Sequence, residues 1–187
     1  PGGAHDALTR DWREAIIPAS AESGEAEARL PDGTVIARWV VEALPMQTAV
    51  PPLDAESGAV FPGVGVLVGR DGPGTAISLG EPPQVTLVWG AGESPVETSY
   101  TVFVQLLDAA GRVIAQSDAL PGGGARPTTG WRAGEVIEDT HTLQWNPNVA
   151  PGEAVLIAGL YDAATGQRVP LADGTDYALL GPVTVRP

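Results

Sequence analysis

Between residues 34 and 185 the chain is a succession of short runs rich in β-branched and aromatic side chains, each closed by glycine, proline or aspartate. No other feature narrows the fold as much. Such punctuation leaves room for strands and turns, whereas a helix needs an apolar stripe recurring at three and four residues over several turns. The 24 glycines and 18 prolines fall between the apolar runs, without the fixed period of a fibrous chain. The runs read as strands are Thr34 to Glu42, Ala59 to Val68, Thr75 to Leu79, Gln84 to Trp89, Tyr100 to Leu107, Arg112 to Ser117, Glu135 to Leu143, Glu153 to Tyr161, Gln167 to Leu171 and Tyr177 to Val185. Ten short strands predict an all-β fold, an antiparallel two-sheet β-sandwich of Ig-like or jelly-roll type.

Residues 1 to 28 have a different character. Asp6 to Ile17 carries Leu8, Trp12, Ala15 and Ile16 at a loose three-to-four spacing, which predicts one short amphipathic helix. Pro18 to Ala28 is rich in alanine, glutamate and serine and shows no pattern. The expected organisation is an N-terminal arm or linker over 1–28 and a single β-sandwich domain over 29–187. A domain of that size buries a real core without staples.

Composition removes several chemistries. All ten basic residues are arginine, and the chain has no lysine and no cysteine. A thiol nucleophile, a disulfide, a cysteine-ligated metal, a Schiff base and a P-loop ammonium are therefore excluded. A net charge of −13 argues against nucleic acid and against an anionic membrane surface, because both reward clustered cations. No apolar run reaches the roughly 18 residues that a spanning helix needs, so the chain is expected not to cross a membrane by itself. It begins at Pro1, with Met46 its single methionine, and is expected to be a trimmed or a processed chain, any targeting signal it had being out of view.

Two hairpin turns are near copies. Leu107-Asp108-Ala109-Ala110-Gly111-Arg112-Val113 and Tyr161-Asp162-Ala163-Ala164-Thr165-Gly166-Gln167-Arg168-Val169 differ by an inserted residue. In each, an aspartate accepts from backbone N–H groups ahead of it and a glycine supplies the positive φ that closes the turn. Turn chemistry explains the recurrence better than a duplicated functional loop.

From Gln84 to Asp162 the chain also resembles a known family. The segments are Val85-Thr86-Leu87-Val88-Trp89, Tyr100 to Asp108, Pro127-Thr128 with Trp131-Arg132-Ala133-Gly134-Glu135-Val136, Asp139-Thr140-His141-Thr142-Leu143, and Pro151-Gly152-Glu153 with Gly159-Leu160-Tyr161-Asp162. Together they resemble the C-terminal extracytoplasmic β-sandwich module of bacterial membrane glycosyltransferases of the protein-mannosyltransferase type, and uncharacterised surface proteins that share it. The likeness covers the C-terminal half and rests on strand and turn motifs. It implies an extracytoplasmic location and an accessory role, and it names no active site.

Among residues with chemistry to offer, Trp89, Trp131 and Trp39 read as core, the last sharing a face with Val35, Ala37 and Val41. Trp145 and Trp12 are the candidates for an exposed ring that stacks on a sugar, Trp145 beside the amide of Asn146. Asp139 and His141 lie two apart in a strand, on one face and about 7 Å apart, with Ile137 and Leu143. They are expected to form a half-buried polar pair that pins the sheet, because no nucleophile or metal accompanies them in sequence. Asp173 and Asp176 are weak calcium candidates, with too few oxygens for a site of their own, and Glu135, Glu138 and Asp139 form a second acidic group no richer. Two histidines, His5 and His141, make a zinc or iron centre improbable, and no cofactor is expected. The glycine loop Pro121 to Gly130 lacks the lysine and the helix of a phosphate loop and reads as a mobile surface loop, with Arg126 and Arg132 a local positive spot suited to a carboxylate.

The expectation is a non-catalytic extracytoplasmic accessory or scaffold module that binds a glycan, or another domain of its parent protein, weakly. The alternatives are a dedicated carbohydrate-binding module and a jelly-roll hydrolase or lyase with paired carboxylates.

Overall fold

The structure is a computed structural model that describes residues 23–43 and 45–187; the helix expected over Asp6 to Ile17, with Trp12 and His5, lies outside the described residues. Twelve strands follow in chain order: β1 Gly24–Arg29, β2 Val35–Val41, β3 Ala55–Phe61, β4 Gly65–Asp71, β5 Ala76–Ser78, β6 Gln84–Ala91, β7 Thr101–Asp108, β8 Val113–Ala119, β9 Val136–Thr142, β10 Gln144–Trp145, β11 Gly152–Tyr161 and β12 Ala178–Arg186. They form a six-stranded sheet in the order β10-β8-β7-β11-β12-β5, a four-stranded sheet in the order β3-β4-β6-β9, and a separate two-stranded sheet of β1 and β2. The larger two pack face to face as the expected all-β sandwich. One pairing departs from the antiparallel rule, since β5 runs parallel to β12.

The inner faces follow the alternation of the sequence. Val85, Leu87 and Trp89 of β6 and Val102, Val104 and Leu106 of β7 are all buried, and Leu156, Ala158 and Leu160 of β11 complete the layer. Fully burying an aliphatic or aromatic side chain of this size contributes roughly 1.5–3 kcal/mol. Trp89 stands at the centre, edge-on to Phe61 at 5.5 Å and tilted against Trp131 at 5.9 Å. Both tryptophans are therefore core, as expected.

Four strand assignments change, the smallest being the two-residue β10, where turn residues were expected. The run Ala59 to Val68 is two strands, because Pro62-Gly63 turns the chain between β3 and β4, with Gly63 at φ 78°. Gln167 to Leu171 forms only a bridge, Arg168 to Tyr161, because the Asp162 turn leaves its partner strand after one residue pair. β1 begins inside the stretch read as an unpatterned arm, where Glu25-Ala26-Glu27-Ala28 alternates charged and small residues and pairs with β2. Trp39 is also not core. It sits on β2 of this separate hairpin and is 50% exposed, since the strand that holds it belongs to neither sheet of the sandwich.

The two matching turns have the expected chemistry. Asp108 Oδ1 accepts from the N–H groups of Ala110 and Arg112, each at 2.9 Å, and Asp162 Oδ1 accepts from Ala164 N at 2.9 Å. Gly111 and Gly166 close them at φ 75° and 73°.

Candidate functional site

β9 is an edge strand, and its alternation turns Ile137, Asp139 and His141 inward and Glu138, Thr140 and Thr142 outward. Its neighbour β6 sets Leu87 beside Asp139 and Val85 beside His141, so the polar pair is walled by aliphatic side chains. Asp139 and His141 are 0% and 1% exposed, buried completely where half-burial was expected. His141 Nε2 lies 2.9 Å from Asp139 Oδ2, and Asp139 Oδ1 accepts from Gly122 N at 2.8 Å. On the other side of the ring, Nδ1 lies 3.1 Å from Ser117 Oγ. An ionised carboxylate only accepts, so with Asp139 in that form the contact is an Nε2–H donating to Oδ2. Ser117 then donates to a neutral imidazole or accepts from a protonated one, and the row stays satisfied either way.

Ser117 comes from β8, in the other sheet. The row therefore joins the two layers of the sandwich at their edge and ties the glycine loop to both. Three glycines in succession, Gly122, Gly123 and Gly124, hold positive φ values of 61°, 64° and 92°, a backbone path that lets the loop fold back toward Asp139.

A second polar cluster holds the far end of the same loop. The Glu135 side chain is fully buried, and its Oε1 accepts from Arg126 Nη2 and, at 2.8 Å, from Arg132 Nη2. Its Oε2 accepts from Arg132 N at 3.1 Å. Burial pushes the Glu135 pKa up, but the hydrogen bonds from Arg132 and Arg126 outweigh it and hold the carboxyl below its ordinary value. Trp131 Nε1 donates to Arg126 O at 2.9 Å. The loop expected to be mobile is thus anchored along its length, and the two arginines, read as a local positive spot suited to a carboxylate on a sugar or on a neighbouring loop, face the internal carboxylate of Glu135.

A serine, an imidazole and a carboxylate in a row have the connectivity of an acyl-transfer triad, which also requires open space at the serine and donors for an oxyanion. Two surface clefts, each of about 550 Å3, lie elsewhere. One is bounded by the Asp108 turn and the loop after β10, with Asp108, Arg112, Asn146, Asn148 and Glu153 on its wall. The other lies beside β3, against Leu171 to Leu179. Neither includes Ser117, Asp139 or His141.

The expected pairing of Trp145 with Asn146 is divided by the strand geometry. Consecutive residues project to opposite faces. Trp145 is half-buried against the core and donates its Nε1 to Glu81 O at 2.9 Å. Asn146 lines the first cleft, with Nδ2 donating to Val113 O at 2.7 Å. Asn148, in the left-handed region at φ 64°, lines the same cleft. Asp108 and Glu153 are two carboxylates of that cleft, but both oxygens of Asp108 are engaged by its own turn and by Arg112. The backbone N–H and guanidinium of Arg112 hold the Asp108 carboxyl below its ordinary value. The calcium candidates do not converge: Asp173 accepts from Thr175 N and Oγ1, while Asp176 pairs with Arg168. Among the described residues no three His, Asp or Glu side chains gather as a metal site.

Two residues escaped the sequence reading. Ser117 closed a predicted strand on the same face as Val113 and Ala115, and a hydroxyl on an apolar face is the signal that marks it. Arg70, on β4, is buried and donates to Leu180 O at 3.1 Å, Gly72 O at 2.9 Å and Pro73 O at 2.8 Å, which clamps the four-stranded sheet to β12.

No family model matches this chain, and no curated protein matches it significantly. Among the described residues, no helix is long and apolar enough to cross a membrane.

Proposed function

We propose that this chain is a non-catalytic β-sandwich accessory module that works outside the cytoplasm and binds a polar ligand, a glycan or a segment of a neighbouring domain, weakly. One observation carries the reading: the groups able to do acid–base or nucleophilic chemistry, Ser117, Asp139, His141 and Glu135, are held in hydrogen bonds that tie the loop and the two sheets together, whereas the cleft is lined by amides, an Asp108–Arg112 ion pair and Glu153, which accepts from the Thr184 hydroxyl. Amides and carboxylates at a shallow cleft suit hydroxyl-rich ligands, and without an aromatic platform the affinity stays low. The resemblance over Gln84 to Asp162 supports the extracytoplasmic location. A dedicated carbohydrate-binding module is the second reading, and the half-exposed ring of Trp145 is its best support.

The test is a glycan array followed by NMR titration of the hits. Shifts are expected at Asn146, Asn148 and Arg112, with binding weakened several-fold by Asn148→Gly, which removes the amide while glycine keeps the backbone path. Shifts centred on Trp145 would favour the second reading. A silent array together with no shift from any soluble glycan would remove glycan binding from the proposal.

A further inference from the structure

The cleft beside β3, about 550 Å3 in volume, has chemistry that the cleft of Asn146 and Asn148 lacks. Three exposed apolar side chains gather on its wall: Val60, Leu179, which is 64% exposed, and Tyr177, which is 38% exposed. Val60 belongs to one sheet and Leu179 to the other, so the patch bridges the two layers. Asp173 is the one charged side chain on this wall among the described residues. Its Oδ1 accepts from Thr175 Oγ1 at 2.7 Å and Thr175 N at 2.9 Å, which leaves Oδ2 without a partner among the described residues. The Thr175 hydroxyl and N–H hold the carboxyl below its ordinary value, so it is ionised at neutral pH.

We propose that this cleft is a binding site for a neutral pyranose, its C–H face laid on Tyr177 and a hydroxyl donating to Asp173. A pyranose pairs an apolar C–H face with a rim of hydroxyls, and a tyrosine ring beside a charged acceptor complements both. The charge selects among ligands. With a carboxylate and no arginine on the wall, a uronic acid or a phosphorylated sugar is repelled. A second copy of the chain would set a net charge of −13 against another of −13 and is opposed in the same way. An extended peptide is also a poorer occupant, because the edge of β3 is not open to strand addition. Val60 O already accepts from Ala172 N at 3.2 Å, and the bulge between Glu56 and Ala59, with Gly58 at φ 70°, breaks the ladder. This cleft shares no lining residue with that of Asn146 and Asn148, and the proposal stands apart from the reading given to that cleft.

The test is an NMR titration of the full chain with the methyl glycosides of glucose, galactose and mannose and of the matching uronic acids. At least one neutral glycoside is expected to shift the amides of Thr175, Tyr177 and Leu179 and to bind about tenfold tighter than its uronate. Tyr177→Leu, which keeps apolar bulk and removes the flat ring, should weaken that binding about fivefold. Asp173→Asn, which keeps an acceptor for the Thr175 turn, should abolish the preference over the uronate. Both variants should keep the melting transition of the native chain. No shift at these amides with any neutral glycoside, binding that Tyr177→Leu leaves intact, or uronates bound as tightly as their parents would overturn the proposal. So would broadening at Tyr177 and Leu179 that grows with protein concentration in the absence of sugar, which would make the patch a contact between copies. Shifts confined to Asn146 and Asn148 would overturn it while supporting the proposed function, so the two fail separately.

Discussion

Glu135→Gln is expected to lower the stability of the sandwich by about 3 kcal/mol, the lower end of what breaking a buried ion pair costs, because Arg126 and Arg132 keep some access to water. Glutamine retains one acceptor where two guanidinium groups and a backbone N–H converge, and Arg126 Nε already lacks a partner. For a chain of this length the midpoint of thermal unfolding should fall by about 6–12 °C. The effect carries a pH signature. Because the folded-state pKa of Glu135 lies below its ordinary value of 4.5, the carboxyl stabilises the fold fully above that value and loses its contribution as pH falls through the folded-state pKa. The gap between the native chain and Glu135→Gln, read by chemical denaturation, should be full near neutrality and close progressively below about pH 4.5. A gap that stays constant into acid would show that the carboxylate charge contributes nothing.

Asp139→Ala should have the larger effect, about 3–5 kcal/mol, because it strands Gly122 N–H and the His141 ring in an aliphatic pocket. Asp139→Asn should cost less, about 1–2 kcal/mol, since the amide still accepts from Gly122 and the imidazole can change tautomer and donate to Ser117. Ser117→Ala removes one neutral hydrogen bond and should cost about 1 kcal/mol. Urea titration of the series gives the order. If Asp139→Ala proves as mild as Ser117→Ala, the row does not hold the sheets together.

The inner faces were legible because strand side chains alternate, cleanly around Asp139 and His141 and in Val85-Thr86-Leu87, although Val88 is buried as fully as its neighbours Leu87 and Trp89. Where readings failed, the missing information was long-range. Trp39 has the alternation of a core strand, yet whether a strand joins a sheet depends on partners that its own residues do not name. The third member of the polar row was hidden for the same reason. Ser117 and His141 meet only because β8, next to the edge of one sheet, lies across from β9, the edge strand of the other, a placement that no local pattern encodes. Arg126 and Arg132 are the opposite case, since Glu135 follows Arg132 by three residues and that spacing could have suggested the pairing. The Pro62-Gly63 break inside Ala59 to Val68 was likewise open to a local reading, for proline cannot continue a sheet ladder.

The row of Ser117, His141 and Asp139 joins the two sheets, and the proposed function gives it no chemistry to perform. Incubating the folded chain with a fluorophosphonate and mapping adducts by mass spectrometry tests that reading most directly, because that reagent reports a serine activated by a neighbouring base. The expected result is no adduct on Ser117. Stoichiometric modification of Ser117 that disappears in a folded His141→Ala variant would contradict the account and make the row a catalytic one.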